Sequence, residues 1–210
     1  MIRPILFETS SVNAVDMWAF ISVHLALYGI FLFASWLICK QSMTENESIS
    51  VWSFGLSAVV GLILLPVYGL SLTTVKGMIL ILLLLYASIS DIKSRIVPNC
   101  IPLMILILSF VGFESAYLLS MVVGTLIVFI PQIVLAVINP KRACGGADLK
   151  ISTTLAFMLG AEKGIFALIV GMLFAVIVIA IYNKVKEKDQ KESFPLVPFL
   201  SVGAIIAYMI

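Results

Sequence analysis

The chain has 210 residues, of which 62% are hydrophobic and only 11% are charged. Soluble domains carry about 25% charged residues, whereas this sequence repeats apolar stretches long enough to cross about 30 Å of hydrocarbon. The composition excludes a water-soluble globular protein and predicts a polytopic membrane protein embedded in a lipid bilayer. The formal net charge of +2 does not indicate a nucleic-acid partner, because Lys and Arg in such a chain first report membrane topology.

Apolar runs separated by short polar linkers predict an all-α integral membrane protein with about eight transmembrane helices. The first apolar run is too long for a cleavable signal peptide and no basic residue immediately precedes it, so we expect it in the mature protein. No repeat and no hydrophilic block is large enough to fold separately, so residues 1–210 are expected to form a single membrane domain. The predicted spans are residues 17–39, 51–70, 75–91, 99–113, 118–138, 149–161, 164–182 and 195–210.

The basic residues fall unequally on alternate loops, and cytoplasmic loops retain Lys and Arg. This asymmetry predicts that the richer set of loops faces the cytoplasm and that the N-terminus and C-terminus both lie outside. The richer set holds Lys40, Lys93, Arg95, Lys141, Arg142, Lys150, Lys184, Lys186, Lys188 and Lys191. The poorer set holds Arg3, Lys76 and Lys163.

Three cysteines, Cys39, Cys100 and Cys144, fall on the predicted cytoplasmic side, and none of them belongs to a CxxC pair. A reducing compartment disfavours disulfides, and a structural zinc site usually takes four Cys or His ligands in close pairs. We therefore expect free thiols that pack among apolar side chains, with a metal role as the alternative. The sequence gives no indication of a cofactor.

Two acidic residues at the ends of predicted spans are the candidate catalytic groups. Asp91 ends the third apolar run, and Asp148 follows Gly145 and Gly146 just before the sixth run. Paired carboxyl groups can divide their roles, one ionised to activate water and one protonated to donate to a leaving amine, as in aspartyl proteases. The two glycines would let backbone or an extended substrate approach Asp148, although a plain turn would also use them.

The segments around both acids resemble the two active-site motifs of the type IV prepilin peptidase family, membrane aspartyl proteases of the GxGD class. The first segment runs from Asp91 to Asn99 and the second is Gly145-Gly146-Ala147-Asp148-Leu149-Lys150. The stretch from Phe194 to Ala204 is similar to the last helix of that family, so the likeness extends over residues 51–210, the expected peptidase core. One departure is Ala147, where the family usually has Gly, and this small residue keeps the space.

The resemblance implies that Asp91 and Asp148 form a catalytic pair, with Gly145 and Gly146 in the second motif. The implied reaction removes a short basic leader from a pilin precursor at the cytoplasmic face of the bacterial inner membrane, in type IV pilus assembly or protein secretion. The remaining motif residues are expected to have supporting roles. The basic ones anchor the topology and could also act on a carboxylate or a lipid phosphate, whereas the Pro-Asn pair begins a helix. These residues are Lys93, Arg95, Pro98, Asn99 and Lys150.

Two other functions remain open from the sequence. A small ion-coupled transporter would use the two acids as a proton or cation site, but it would be expected to hold them near the membrane midplane. A non-catalytic membrane protein of a secretion machine would keep the fold without the activity.

Larger members of the resembled family carry a cysteine-paired, zinc-binding insert after their first helix and also methylate the new N-terminus. The corresponding loop here covers residues 40–50 and contains no cysteine. A tetrahedral zinc site needs about four ligands, which this loop cannot supply. We therefore expect a short-form peptidase without N-methyltransferase activity.

Overall fold

The computed structural model describes residues 14–42, 47–69, 71–138, 145–186 and 194–210. These residues form helices and contain no β-strand, which confirms the predicted all-α class. A short 3-10 helix, Ser115–Tyr117, precedes the fifth α-helix. In chain order the α-helices are α1 (Ala14–Ser42), α2 (Glu47–Tyr68), α3 (Leu72–Ser94), α4 (Cys100–Ser109), α5 (Leu118–Ile138), α6 (Gly146–Lys186) and α7 (Val197–Met209). Cys144 and the loop residues Arg3, Lys141, Arg142, Lys188 and Lys191 lie outside the described residues.

Helix α6 consists of two arms, residues 146–159 and 161–186, that turn back on each other at Gly160. Gly160 has φ 81° and ψ −178°, a conformation that is essentially restricted to glycine. A Cβ on Gly164 would lie 2.8 Å from the Cα of Ala156, whereas residues eight apart in a straight helix are separated by about 12 Å. The two arms are therefore antiparallel, and they correspond to the two spans predicted separately at 149–161 and 164–182.

Several stretches of the described residues are long and apolar enough to cross a membrane. Around them, large apolar side chains point outward, with Leu119 75% and Val137 74% exposed. Soluble monomers rarely expose continuous apolar surface of this kind, so the chain is a membrane protein, as predicted. The four stretches are Ile21–Lys40, Leu72–Ser94, Ser115–Leu135 and Gly146–Tyr182, the last of which contains both arms of α6.

The main core lies between α3, α4, α6 and α7. Its completely buried members include Leu84 of α3, Ile105 of α4, Ile151 of α6 and Ala204 of α7. Close backbone approach completes this packing, because a Cβ on Gly203 would collide with the backbone of the second arm of α6. A second cluster, which contains Phe31, Leu64, Met78 and Ile81, joins α1 and α2 to α3.

Several helix ends differ from the predicted ones by three or four residues, among them the ends of α3 and α4. Helix α3 continues to Ser94, so the expectation that Asp91 ends this span is wrong. Helix α4 ends at Ser109 rather than near residue 113. The Lys76 side chain explains this earlier end, since its Nζ donates to the carbonyl oxygens of Ser109 at 3.3 Å and Val111 at 3.0 Å and so satisfies acceptors that the helix leaves open.

Candidate active site

Asp91 is 5% exposed and lies in the last turn of α3, beside the start of α7. Its Oδ2 accepts the N–H of Val197 at 3.1 Å, and the N–H of Leu196 also hydrogen-bonds to this carboxylate. The first amides of a helix have no partner within that helix. The carboxylate of one helix therefore supplies the acceptor that the N-terminus of another requires.

Arg95 fixes the end of α3 just beyond Asp91. It adopts a left-handed conformation with φ 55°, and its N–H donates to the Asp91 carbonyl oxygen at 2.9 Å. Its positive charge also acts on the Asp91 carboxylate. Arg95 is thus both the cap of α3 and an electrostatic neighbour of the candidate acid.

Asp148 is partly buried and lies in the first turn of α6. The Gly145 carbonyl oxygen accepts the N–H of Leu149 at 3.2 Å, and the Gly145 N–H donates to the Asp148 carboxylate. The bond to Asp148 is one half of a capping box, in which the side chain of the third helical residue accepts the N–H of the capping residue. Gly145 has no side chain to supply the other half. The segment that begins α6 therefore also fixes the position of the Asp148 carboxylate.

The two acids meet at one end of the helix bundle, where α3 ends and where α4, α6 and α7 begin. They are close enough for the charge of Asp91 to act on Asp148. Two neighbouring carboxyl groups can differ in protonation, so that one can act as base while the other acts as acid. The structure thus brings together the two residues that the sequence analysis paired.

The residues before Asp148 differ in what surrounds them. A Cβ on Gly145 would lie 3.1 Å from the Oδ2 of Asp148, whereas a Cβ on Gly146 would meet nothing within 4 Å. Gly145 therefore makes room for the carboxylate itself, and Gly146 leaves open space next to it. Ala147 packs against the main core, which accounts for a methyl group at this position.

A hydrogen bond joins the two motif segments. The Nζ of Lys150 donates to the Oδ1 of Asn99 at 2.8 Å, so Lys150 has a local contact in addition to any role in topology. As predicted, Pro98 and Asn99 directly precede the first residue of α4. Lys93 is exposed in the last turn of α3.

The sequence analysis gave no site role to Leu196 and Val197, whose amides contact Asp91. A signal was present, since Pro195 and Pro198 flank them and proline is favoured where a helix begins.

Among the residues that the structure describes, no cluster of three or more His, Cys, Asp or Glu side chains could hold a metal ion. Cys39 is buried and Cys100 is exposed, and neither forms a disulfide bond.

Comparison with known proteins gives two matches. A sequence profile described as the type IV leader peptidase family matches residues 78–181, a range that contains both aspartates. The chain is also 26% identical over 153 residues to the prepilin leader peptidase/N-methyltransferase of Bacillus subtilis (strain 168), an alignment that covers 68% of this chain. The alignment spans only 58% of the length of that relative. No solved structure matches the chain.

Proposed function

We propose that this chain, a member of the type IV leader peptidase family by the profile and the relative that it matches, is an aspartic endopeptidase that removes the short basic leader from type IV pilin-like precursors. The observation that carries the proposal is the meeting of Asp91 and Asp148 at one end of the bundle. Backbone amides hold both carboxylates, so the pair is positioned before any substrate binds.

Hydrolysis needs one proton acceptor and one proton donor at the scissile peptide bond. The ionised carboxylate takes a proton from water as the water oxygen bonds to the carbonyl carbon. The protonated carboxyl then gives its proton to the amine nitrogen as the C–N bond breaks. The pair finishes with one proton, as it began, and no covalent enzyme intermediate forms.

The position of the acids favours a peptidase over a carrier. An ion-coupled carrier holds its charged groups near the bilayer midplane, between broken helices. Here Asp91 lies in the last turn of α3 and Asp148 in the first turn of α6. At such a position water is available for hydrolysis, and a precursor with a hydrophilic leader and an apolar next segment would present its scissile bond there.

The proposed topology has eight membrane crossings, with both chain termini outside and the acids on the cytoplasmic face of a bacterial inner membrane. The antiparallel arms of α6 support two crossings where one continuous helix would give one. The basic residues Lys93, Arg95 and Lys150 lie at the same helix ends as the acids. Lys and Arg are enriched in cytoplasmic loops, which supports a cytoplasmic position for these helix ends.

We further propose that this chain lacks N-methyltransferase activity, although the Bacillus subtilis relative carries both activities in its name. Helix α1 ends at Ser42 and α2 begins at Glu47. The few residues between these helices leave no room for a folded zinc-binding module, which needs about four ligands in a tetrahedral frame.

Purified protein in detergent or liposomes tests the proposed reaction directly. The substrate is a precursor with a basic leader, a glycine and then an apolar helix, and the products are analysed by mass spectrometry. We expect a single cut before the apolar helix, with product masses that sum to the precursor plus one water. An intact precursor, or proton or cation uptake by the liposomes without cleavage, would contradict the peptidase assignment.

A further inference from the structure

Helices α3 and α7 are joined by two polar contacts that lie one helical turn apart. The first is the bond from the Val197 N–H to the Asp91 carboxylate, at 3.1 Å. The second joins the hydroxyl oxygens of Ser88 and Ser201, at 2.9 Å. Positions three or four apart lie on one helix face, so both contacts lie along a single α3–α7 seam.

The direction of the hydrogen bonds at this seam can be assigned. The Ser201 hydroxyl donates to the carbonyl oxygen of Val197 at 2.8 Å, which uses its only hydrogen. The Ser88 hydroxyl must then be the donor to Ser201. A continuous chain therefore runs from Ser88 through Ser201 to Val197, whose own N–H holds Asp91.

Close packing at Gly203 sets α7 against α6, and this seam adds polar contacts that hold the rotation and axial position of the start of α7 relative to α3. Ser201 is 5% exposed and Val197 is completely buried, whereas Ser88 is half-buried and both serines line a cavity between α2, α3 and α7. Loss of the serine contact would leave the start of α7 free to shift against α3. The Asp91 carboxylate would shift with it, because Val197 is its partner.

We propose that Ser201, held by Ser88, is a positioning residue that keeps the N-terminal amide of α7 on the Asp91 carboxylate. The inference rests on the proposed function, since it requires Asp91 to take part in the reaction. Neither serine contacts the scissile bond in this account. Their removal should therefore lower kcat and leave KM unchanged.

The test compares Ser201→Ala, Ser88→Ala and the double variant in the leader-removal assay. Misplacement of a catalytic group by a fraction of an ångström lowers kcat substantially, and we expect a fall of about tenfold for Ser201→Ala. The double variant should be no slower than Ser201→Ala, because both side chains act through one contact. Ser201→Thr keeps the hydroxyl and should restore most of the rate.

Ser57→Ala is the matched control. Ser57 is 3% exposed, pairs with Ser35 of a neighbouring helix at 2.6 Å, and donates to the Phe54 carbonyl oxygen at 2.8 Å. Like Ser201 it is a buried serine that pairs with a serine of a neighbouring helix, and it lines the same cavity as Ser88 and Ser201, but its contact joins α1 to α2 and does not reach α7. We expect wild-type kcat and KM for this variant.

Three results would overturn the inference. Ser201→Ala with the wild-type kcat would remove any positioning role, and a raised KM with unchanged kcat would make Ser201 a substrate contact instead. An equal loss in Ser57→Ala would assign the effect to helix packing in general. Asp91→Asn is run alongside, because cleavage by that variant would overturn the proposed function itself rather than the role of Ser201.

Discussion

At the scale of single residues, backbone amides position both candidate acids. Val197 donates to Asp91, and Gly145 donates to Asp148. Acid–base catalysis depends first on the geometry between the carboxyl group and the transferred proton. The starts of α6 and α7 therefore provide backbone support for the pair, in addition to the charge of Arg95 beside Asp91.

Lys150 gives a prediction at the same scale. Its bond to Asn99 at 2.8 Å joins the two motif segments, and loss of one such bond corresponds to about a threefold to tenfold effect. We expect Lys150→Met to lower the rate of leader removal by that factor, measured with a purified precursor. Lys184→Met, in an exposed lysine of the second arm of α6, should cleave normally, and a normal rate for Lys150→Met would show that the link is dispensable.

The residues of the candidate site were predictable from sequence only where residue type carries the chemistry. Asp91 and Asp148 stood out because the segments around them resemble the two active-site motifs of the peptidase family, whereas two carboxylates at span ends would by themselves be a weak signal. The contact of Val197 could not be predicted in the same way, because its backbone amide donates and a valine side chain gives no sign of that. The Lys150–Asn99 bond likewise depends on how α4 and α6 approach each other.

At the scale of helices, hydropathy located the apolar elements but not all of their ends. Apolar runs report which residues lie in hydrocarbon or in a core, whereas helix ends depend on caps. Arg95 ends α3 beyond Asp91 as a left-handed cap, and the Lys76 Nζ binds the carbonyl oxygens of Ser109 and Val111 at the end of α4. Both caps come from basic residues that the sequence analysis had assigned to topology.

Gly160 provides the prediction for the hairpin in α6. Its φ of 81° and ψ of −178° cost an alanine about 1–3 kcal/mol, and a Cβ would also lie 2.9 Å from the Ser120 Oγ, which accepts the Ala161 N–H. Gly160→Ala should therefore lower the free energy of unfolding by about that amount, measured by thermal unfolding in detergent.

Gly29→Ala is the control for the hairpin prediction, since a Cβ there meets nothing within 4 Å inside α1. Alanine is favoured over glycine in a helix by up to about 1 kcal/mol, so this variant should be as stable as the wild type or slightly more so. Equal melting temperatures for Gly160→Ala and the wild type would contradict the account of the turn.

At the scale of the whole molecule, sequence predicted the all-α class and the placement of the apolar segments. It also separated the two arms of α6, because Glu162 and Lys163 interrupt the apolar run beside Gly160. The packing of α7 between α3 and α6 was not predictable, since it depends on close approach at Gly203. That packing is what brings the start of α7 to Asp91.

The absence of methyl transfer is the prediction that concerns the activity of the whole chain. Cells whose only prepilin-processing enzyme is this protein should produce mature substrate with an unmodified N-terminus. Mass spectrometry of that substrate decides the point, because one methyl group adds about 14 Da while the cleavage site is unchanged. A methylated N-terminus in such cells would show the proposal to be wrong.

The most direct test of the account is leader removal by Asp91→Asn and Asp148→Asn, with Glu162→Gln as a control for loss of an acidic group. Asparagine keeps the shape of aspartate but cannot exchange the proton that hydrolysis requires. Glu162 is exposed and lies beside the α6 turn, about 18 Å along the first arm from Asp148. We predict that both asparagine variants accumulate in the membrane without cleaving the precursor, while Glu162→Gln cleaves at the wild-type rate. Cleavage by either asparagine variant would contradict the assignment of Asp91 and Asp148 as the catalytic pair.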